Sequence, residues 1–264
     1  MPVAINHTKR LLARGELAIG LGVRHIQSAE IGLMAKAAGF DFLFIDREHS
    51  TIEMSRAGEI CTAALGQGIT PIVRVAGPEP FHCVPLLDCG AQGIVVPHVQ
   101  TADDARQLVD IQKLPPLGSR SLSRSSAMTG YETMEFKIFA DLANQETLSI
   151  AMVEDREGVH NIDAIAAVPH LDAVLIGASD LCADLGLIGK FSDPAAVEAC
   201  VTIIRACAAK GLPCGISGVR NDELLAHYIK LGARLIHAGT DAPILVEALK
   251  QRSGMLRKIW SDLD

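Results

Sequence analysis

The chain has 264 residues, 49% of them hydrophobic and 21% charged, with a formal net charge of −7. That length suffices for one barrel-sized domain or two small ones, and the acidic balance argues against a nucleic-acid partner, which wants a basic face. No apolar run approaches membrane-spanning length, and the opening residues, MPVAINHTKRLLARGE, lack the apolar block of a secretory signal and read as a short leading helix.

In chain order, Leu17–Val23 is expected as a first strand, then a helix over Ser28–Ala38 with Ser28 as N-cap. Phe42–Ile45 is a second strand, followed by Asp46, Arg47, Glu48 and His49, then a helix over Glu53–Leu65. Pro71–Val75 is a third strand carrying Arg74, followed by a helix over Phe81–Leu87 closed by Asp88. Gly93–Val96 is a fourth strand leading to His98, and Thr101–Gln112 a helix with a threonine cap. Leu114–Tyr131 is a long irregular stretch rich in Pro, Gly, Ser and Arg, a length usually tied to function or an interface. After a helix over Glu135–Ala143, Ser149–Val153 is a fifth strand ending at Glu154. A helix over Gly158–Ala167 leads to a sixth strand, Ala173–Ile176, which runs into Ser179 and Asp180. A helix over Asp193–Lys210, a strand over Pro213–Ile216, a helix over Asn221–Leu231 and a strand over Arg234–His237 follow. The final helix spans 241–262.

Eight strand–helix repeats without a composition shift predict a single (β/α)8 TIM barrel over 1–264. A doubly wound open sheet is the runner-up, but no G-x-G-x-x-G turn follows the first strand and no phosphate-binding G-x-x-x-x-G-K-[ST] loop occurs. Seven cysteines, an odd number with no C-x-x-C pair, read as free thiols in a reducing cytoplasm.

Residues just past barrel strands face one mouth, where chemistry occurs. Here these are Asp46, Glu48, His49, Arg74, His98, Glu154, Ser179, Asp180 and Ser217. Glu154 and Asp180, on neighbouring strands, form a pair able to hold one divalent cation. Each also has an ordinary reading as the cap of the next helix. No lysine lies on or just after an expected strand, so an imine mechanism is disfavoured. No G-x-S-x-G elbow is present.

The segments FDFLFIDREHS, PIVRV, LLDCGAQGIVVPHV, PPLGSRS, AMVEDREG and LIGASDLCADLG, in that order, resemble the successive motifs of the HpcH/HpaI family of class II pyruvate aldolases. The resemblance runs from about Ile19 to the C-terminal helix. It implies a barrel of the phosphoenolpyruvate/pyruvate-domain type and a metal-dependent carbon–carbon lyase acting on 4-hydroxy-2-oxo acids through a pyruvate enolate. It further implies a homo-oligomer, commonly a hexamer with an exchanged C-terminal helix. By resemblance Glu154 and Asp180 are the metal ligands, for Mg²⁺ or Mn²⁺, with Co²⁺ or Zn²⁺ as further candidates. Arg74 steadies the enolate, His49 is the base, and the backbone around Ser179 and Asp180 holds the pyruvyl carboxylate of a pyruvate- or oxaloacetate-type 2-oxo acid, whose partner is an aldehyde. The aspartate matching Asp88 partners the histidine. Asp88 here closes a helix at the end opposite the mouth, so it either reaches a neighbouring subunit or is structural. Members that form citrate or cleave acyl-CoA thioesters use the same enolate site and are the alternative reading.

Departures from the pattern surround the acceptor side. Arg47 stands where many members have glycine, Met152 where a glutamine contacts pyruvate, and the first-strand tryptophan is replaced within Gly20–Arg24. Arg24, His25, Arg47 and Arg124 are candidates for an anion pocket, or are solvated surface charges. Arg120 is expected either to bind a substrate carboxylate or to tie down its loop.

Overall fold

The computed structural model describes residues 3–123 and 126–263. Eight strands close into a parallel barrel in sequence order. They are β1 Ala18–Val23, β2 Phe42–Asp46, β3 Thr70–Arg74, β4 Gly93–Val96, β5 Leu148–Val153, β6 Ala173–Gly177, β7 Cys214–Ser217 and β8 Ala233–Thr240. The barrel reading therefore holds and the open sheet does not.

The helices are α1 His7–Ala13, α2 Ile31–Ala37, α3 Met54–Gln67, α4 Pro80–Asp88, α5 Ala102–Gln112, α6 Phe136–Glu146, α7 Arg156–His160, α8 Ile162–Ile165, α9 Ala178–Asp184, α10 Pro194–Ala209, α11 Asp222–Leu231 and α12 Asp241–Ser261. Two expectations need correction. The helix expected over Gly158–Ala167 is broken at Asn161 into α7 and α8. Ser28 is not the N-cap of α2: Glu30 is, without a side-chain cap bond, and the Ser28 hydroxyl accepts from the Glu30 N–H at 3.2 Å. Thr101 does cap α5, in a reciprocal box with Asp104. Among the described residues no helix is long and apolar enough to cross a membrane.

Strand side chains alternate between two cores. Leu43, Ile45, Val73, Val153, Val174 and Ile176 point outward and pack under the helices. Phe42, Phe44, Ile72, Ile150, Met152 and Leu175 point inward and fill the barrel, with Leu12 of α1 packed among them. The inward rows run up each strand by twos. Phe42 and Phe44 lead to Asp46, Ile72 to Arg74, Ile150 and Met152 to Glu154, and Ala173 and Leu175 to Gly177. The alternation that builds the core thus delivers the polar side chains to the mouth.

Gly20 belongs to this packing: a Cβ there would lie 2.1 Å from the Phe42 ring. We expect Gly20→Ala to cost about 1–3 kcal/mol by overpacking. On exposed α3, Gly66→Ala meets nothing within 4 Å and should gain up to about 1 kcal/mol from helix propensity. Denaturant midpoints of the two variants check both signs.

Candidate active site

Asp46 and Arg74 end neighbouring strands in register, and their side chains form a two-pronged pair under the mouth. Arg74 Nε donates to Asp46 Oδ1 at 3.0 Å and Nη2 to Oδ2 at 2.7 Å. Arg24 Nε donates to the same Oδ2 at 2.6 Å. Burial pushes the Asp46 carboxyl up, but the Arg74 guanidinium and then Arg24 more than reverse this and hold it at about 2. Burial likewise opposes the Arg74 charge, and the Asp46 and Glu48 carboxylates more than restore it. Arg74 Nη1 lies 2.8 Å from Glu48 Oε2 and 3.7 Å from Met152 Sδ, and its guanidinium stands 5.6 Å from the centre of the Phe44 ring.

The row of contacts continues across the mouth through His98. Its Nε2 is 3.1 Å from Glu48 Oε1, its Nδ1 is 2.9 Å from Glu154 Oε1, and its backbone N–H donates to that same oxygen at 2.8 Å. His98 takes this position with φ of +56°, a left-handed conformation that costs free energy for a side chain of this size. It stands at the rim, as its place just past the fourth strand suggested, with both ring nitrogens near carboxylates.

Glu154 is buried, 3% exposed. Its Oε2 has no hydrogen-bond partner among the described residues. Burial, opposed by the His98 contacts and aided by the charges of Asp180 and Glu48, raises its carboxyl to about 7. It stands behind Gly177, where a Cβ would lie 2.3 Å from Oε2. Asp180 is exposed in the first turn of α9, a helix the sequence reading did not foresee directly after β6. An orphaned buried carboxylate oxygen with a second carboxylate near it fits a hard divalent cation, which prefers oxygen ligands. Among the described residues no group of three or more His, Cys, Asp or Glu is gathered for a metal, so the remaining positions would fall to water and substrate.

A cavity of about 540 Å³ opens at this mouth, lined among others by Arg24, His49, Arg74, Met152, Ser179 and Asp180. His49 is solvent-accessible, with its backbone N–H donating to Asp46 Oδ1 at 3.2 Å and its Nε2 3.9 Å from Glu48 Oε2. His237, inward on β8, is half-buried at the cavity with its Nδ1 3.2 Å from the Ser217 hydroxyl. Burial, followed by the charges of Arg24, Arg74 and Arg220, lowers it to about 4.

The structure brings together His49, Arg74, Ser179 and Asp180, with Glu154 directly behind the wall. It does not bring Asp88 to them. Asp88 ends α4 and accepts from Arg120 Nη2 at 2.7 Å, and Arg120 is buried, so within the chain this arginine ties down its loop. The anion pocket expected from Arg24, His25, Arg47 and Arg124 does not assemble. Arg24 lines the cavity, but His25 turns to Asp241, with Nδ1 3.5 Å from Oδ1, and Arg47 Nε donates to the Ile52 carbonyl at 3.3 Å. Arg124 lies outside the described residues. Arg220, which the sequence reading passed over, lines the cavity instead. Its only sequence signal was a cation four residues after an expected strand.

Asp46 carries a testable sign. Its folded pKa, about 2, lies below the value of about 3.9 expected in the unfolded chain. Its contribution to stability is therefore complete above about pH 4 and is lost as pH falls toward 2. Asp46→Asn leaves Arg74 buried without its carboxylate and should cost about 3 kcal/mol at pH 7. The gap between wild type and variant should narrow between pH 4 and 2 in urea titrations.

Comparison with known proteins agrees with this geometry. The profile of the HpcH/HpaI aldolase/citrate lyase family matches residues 24–248. A 4-hydroxy-4-methyl-2-oxoglutarate aldolase of Hapsidospora irregularis is 35% identical over 94% of this chain and 93% of its own. A 4-hydroxy-2-oxo-heptane-1,7-dioate aldolase of Salmonella typhimurium is 33% identical, covering 93% of each chain. Among solved structures, an HpcH/HpaI aldolase from Desulfitobacterium hafniense superposes with a TM-score of 0.89 at 27% identity over 94% of this chain and 96% of its own. The citrate synthase SbnG superposes with a TM-score of 0.85 at 29% identity over 96% of this chain and 98% of its own. The matched profile spans the whole wall from Arg24 through Asp241, and this chain belongs to the HpcH/HpaI aldolase/citrate lyase family, as an enzyme of the aldolase class.

Proposed function

We propose that the chain is a divalent-metal-dependent aldolase that cleaves or forms 4-hydroxy-2-oxo acids through a pyruvate enolate. The observation that carries this reading is Glu154, a buried carboxylate with an unpartnered oxygen, set beside a cavity that also receives Asp180, Arg74 and His49. Glu154 and Asp180 would hold the cation, Mg²⁺ or Mn²⁺ by their oxygen chemistry. When bound, the cation supplies Lewis acidity toward the 2-oxo acid.

The chain's own groups account for the rest. Ser179 and Asp180 lie in the first turn of α9, where backbone N–H groups lack helical partners and suit the substrate's 1-carboxylate. In the cleavage direction His49 takes the proton of the 4-hydroxyl. The C3–C4 bond breaks, its electron pair moves to the C2–C3 enolate, and an aldehyde or ketone leaves. The enolate then accepts a proton at C3 to give pyruvate, and condensation is the reverse. Arg74 places fixed positive charge where the enolate oxygen develops, and Asp46 locks its orientation. His98, bonded to both Glu48 and Glu154, positions the metal carboxylate.

A homo-oligomer belongs to this reading, with a hexamer as its expected form. α12 buries only Asp241 of its 21 residues, while Ile244, Leu245, Leu249 and Leu256 stand exposed. That suits a helix exchanged onto a neighbour. Asp88, on the face away from its own mouth, would then approach the His49 of an adjoining subunit. The free cysteines suit a reducing compartment such as the cytoplasm.

The first test is pyruvate release from a panel of 4-hydroxy-2-oxo acids. It should require Mn²⁺ or Mg²⁺ and stop on chelation. Partners of metal ligands cost about 10–100-fold, so Glu154→Gln should lose at least about 100-fold while keeping its melting temperature, since the buried charge it removes has an unpartnered oxygen. Full turnover in excess chelator would sink the metal assignment. Absence of release from every panel member, with Mn²⁺ bound by calorimetry, would favour the citrate-forming or acyl-CoA reading. For the assembly, Leu249→Glu with Leu256→Glu should lower the mass seen by light scattering; an unchanged mass would remove α12 from the interface.

A further inference from the structure

The cavity is asymmetric in charge. On the β5–β6 side it meets Asp180, with Glu154 behind Gly177. On the β7–β8–β1 side it meets Arg220 and Arg24. These two arginines are not equivalent. Arg24 already donates to Asp46 at 2.6 Å, and Asp46 and Glu48 between them also serve Arg74. Arg220 is exposed on the loop after β7, and no carboxylate of the described residues pairs with it. It is a guanidinium lining a cavity, without a carboxylate partner among the described residues.

Its placement is built. The loop turns at Gly218 with φ of +91°, and a Cβ at that position would lie 2.7 Å from Ser179 Oγ. Only glycine both allows this turn and lets the loop close against the first turn of α9. Arg220, two residues on, lines the same cavity as the Ser179–Asp180 turn. The next residue, Asn221, caps α11 by accepting from the Leu224 N–H at 2.9 Å, which fixes the other end of the loop. Beneath the loop His237, hydrogen-bonded to Ser217, presents a half-buried imidazole rather than a carboxylate.

We propose that Arg220 is a specificity-determining residue that selects substrates whose acceptor half carries a carboxylate. The proposal rests on the aldolase reading for the placement of the other half. With the 2-oxo acid end at Arg74, Ser179 and Asp180, the substituent on C4 extends toward β7 and β8, where the unpaired guanidinium stands. A carboxylate there gains a charge-assisted, two-pronged hydrogen bond. A neutral group leaves Arg220 solvated and gains nothing. The acceptor released is then an oxo acid rather than a simple aldehyde.

Two measurements on the Mn²⁺-loaded full chain test this. The first compares kcat/KM for pyruvate release from 4-hydroxy-2-oxopentanedioate and 4-hydroxy-2-oxopentanoate, which differ in a carboxylate against a methyl. Wild type should favour the dicarboxylate. Arg220→Gln should shrink that ratio by about 10–100-fold, the size of a hydrogen bond to a charged group, mostly through KM, and Arg220→Lys should restore part of it. The second needs no turnover: calorimetric titration with 2-oxopentanedioate and 2-oxopentanoate. Wild type should prefer the dicarboxylate, and Arg220→Gln should lose that preference by a similar factor. If wild type cleaves neither hydroxy acid yet binds the dicarboxylate through Arg220, the aldolase reading fails and the selectivity stands. Equal binding of the two oxo acids by wild type, binding of neither, or an equal loss for both on Arg220→Gln overturns the proposal; equal loss would place Arg220 on the shared 1-carboxylate.

Discussion

The mouth of this barrel depends on one buried ion pair, Arg74 with Asp46. The guanidinium is 4% exposed and the carboxylate 1%. Taking two such groups out of water costs several kcal/mol each unless their geometry is close to ideal. Here it is, with both carboxylate oxygens engaged by one planar fork. The register of β2 and β3, which sets Asp46 directly beside Arg74, supplies that geometry. A row of side chains at the mouth is fastened to the pair: Arg24 on one side, Glu48, His98 and Glu154 on the other. Arg24 and Arg74 flank Asp46, and Arg74 also meets Glu48, so opposite charges alternate along this part of the rim; His98 bridges Glu48 and Glu154 beyond it.

Much of this was legible in the sequence because barrel geometry converts order into position. A strand with outward Leu43 and Ile45 and inward Phe42 and Phe44 must carry Asp46 inward. The same count by twos puts Arg74 and Glu154 at the mouth. The strands follow from their short apolar runs and the candidate polar residues from their place just past them, while the order of short motifs added the chemical assignment; the alternation of the strands explains why Asp46, Arg74 and Glu154 point inward. Boundaries moved where local cues were weak, as at Ser28, whose hydroxyl bonds Glu30 without capping α2.

Other features were set by contacts that sequence spacing does not encode. Arg47 and His25 looked like partners of Arg24 because they are near it in the chain or follow a strand. Each found a nearer acceptor, the Ile52 carbonyl and Asp241. Arg220 reached the cavity because Gly218 bends the loop against Ser179, a contact 39 residues apart in sequence. Asp88 illustrates the opposite limit. It is the end of a helix entering β4, and the fold of one chain sends that end away from the mouth. Within one chain it is held by Arg120 instead, whose Nη2 donates to it at 2.7 Å.

Two clusters of buried charge contrast: the Lys113 cluster is closed and the carboxylates at the mouth are not, although unpartnered buried atoms also occur away from the mouth, at Arg120 Nε and Gln112. At the end away from the mouth Lys113 is buried with its ammonium bonded to the Asn144 carbonyl at 3.3 Å, the Thr147 carbonyl at 2.7 Å and Asp172 at 2.7 Å. Its three donors are all used, and Lys9 pairs with the other oxygen of Asp172 at 2.7 Å. Nothing is left for a ligand. At the mouth Glu154 Oε2 has no partner, and Glu48 Oε2 lies 2.8 Å from Arg74 Nη1 as an ion pair without a hydrogen bond to it. Leaving buried acceptors unmade costs about 1–3 kcal/mol each or more when charged. A chain selected for stability alone would close them as it closed Lys113, or replace them with apolar groups. Their retention fits the role proposed for this mouth, holding a hard cation and an oxo acid.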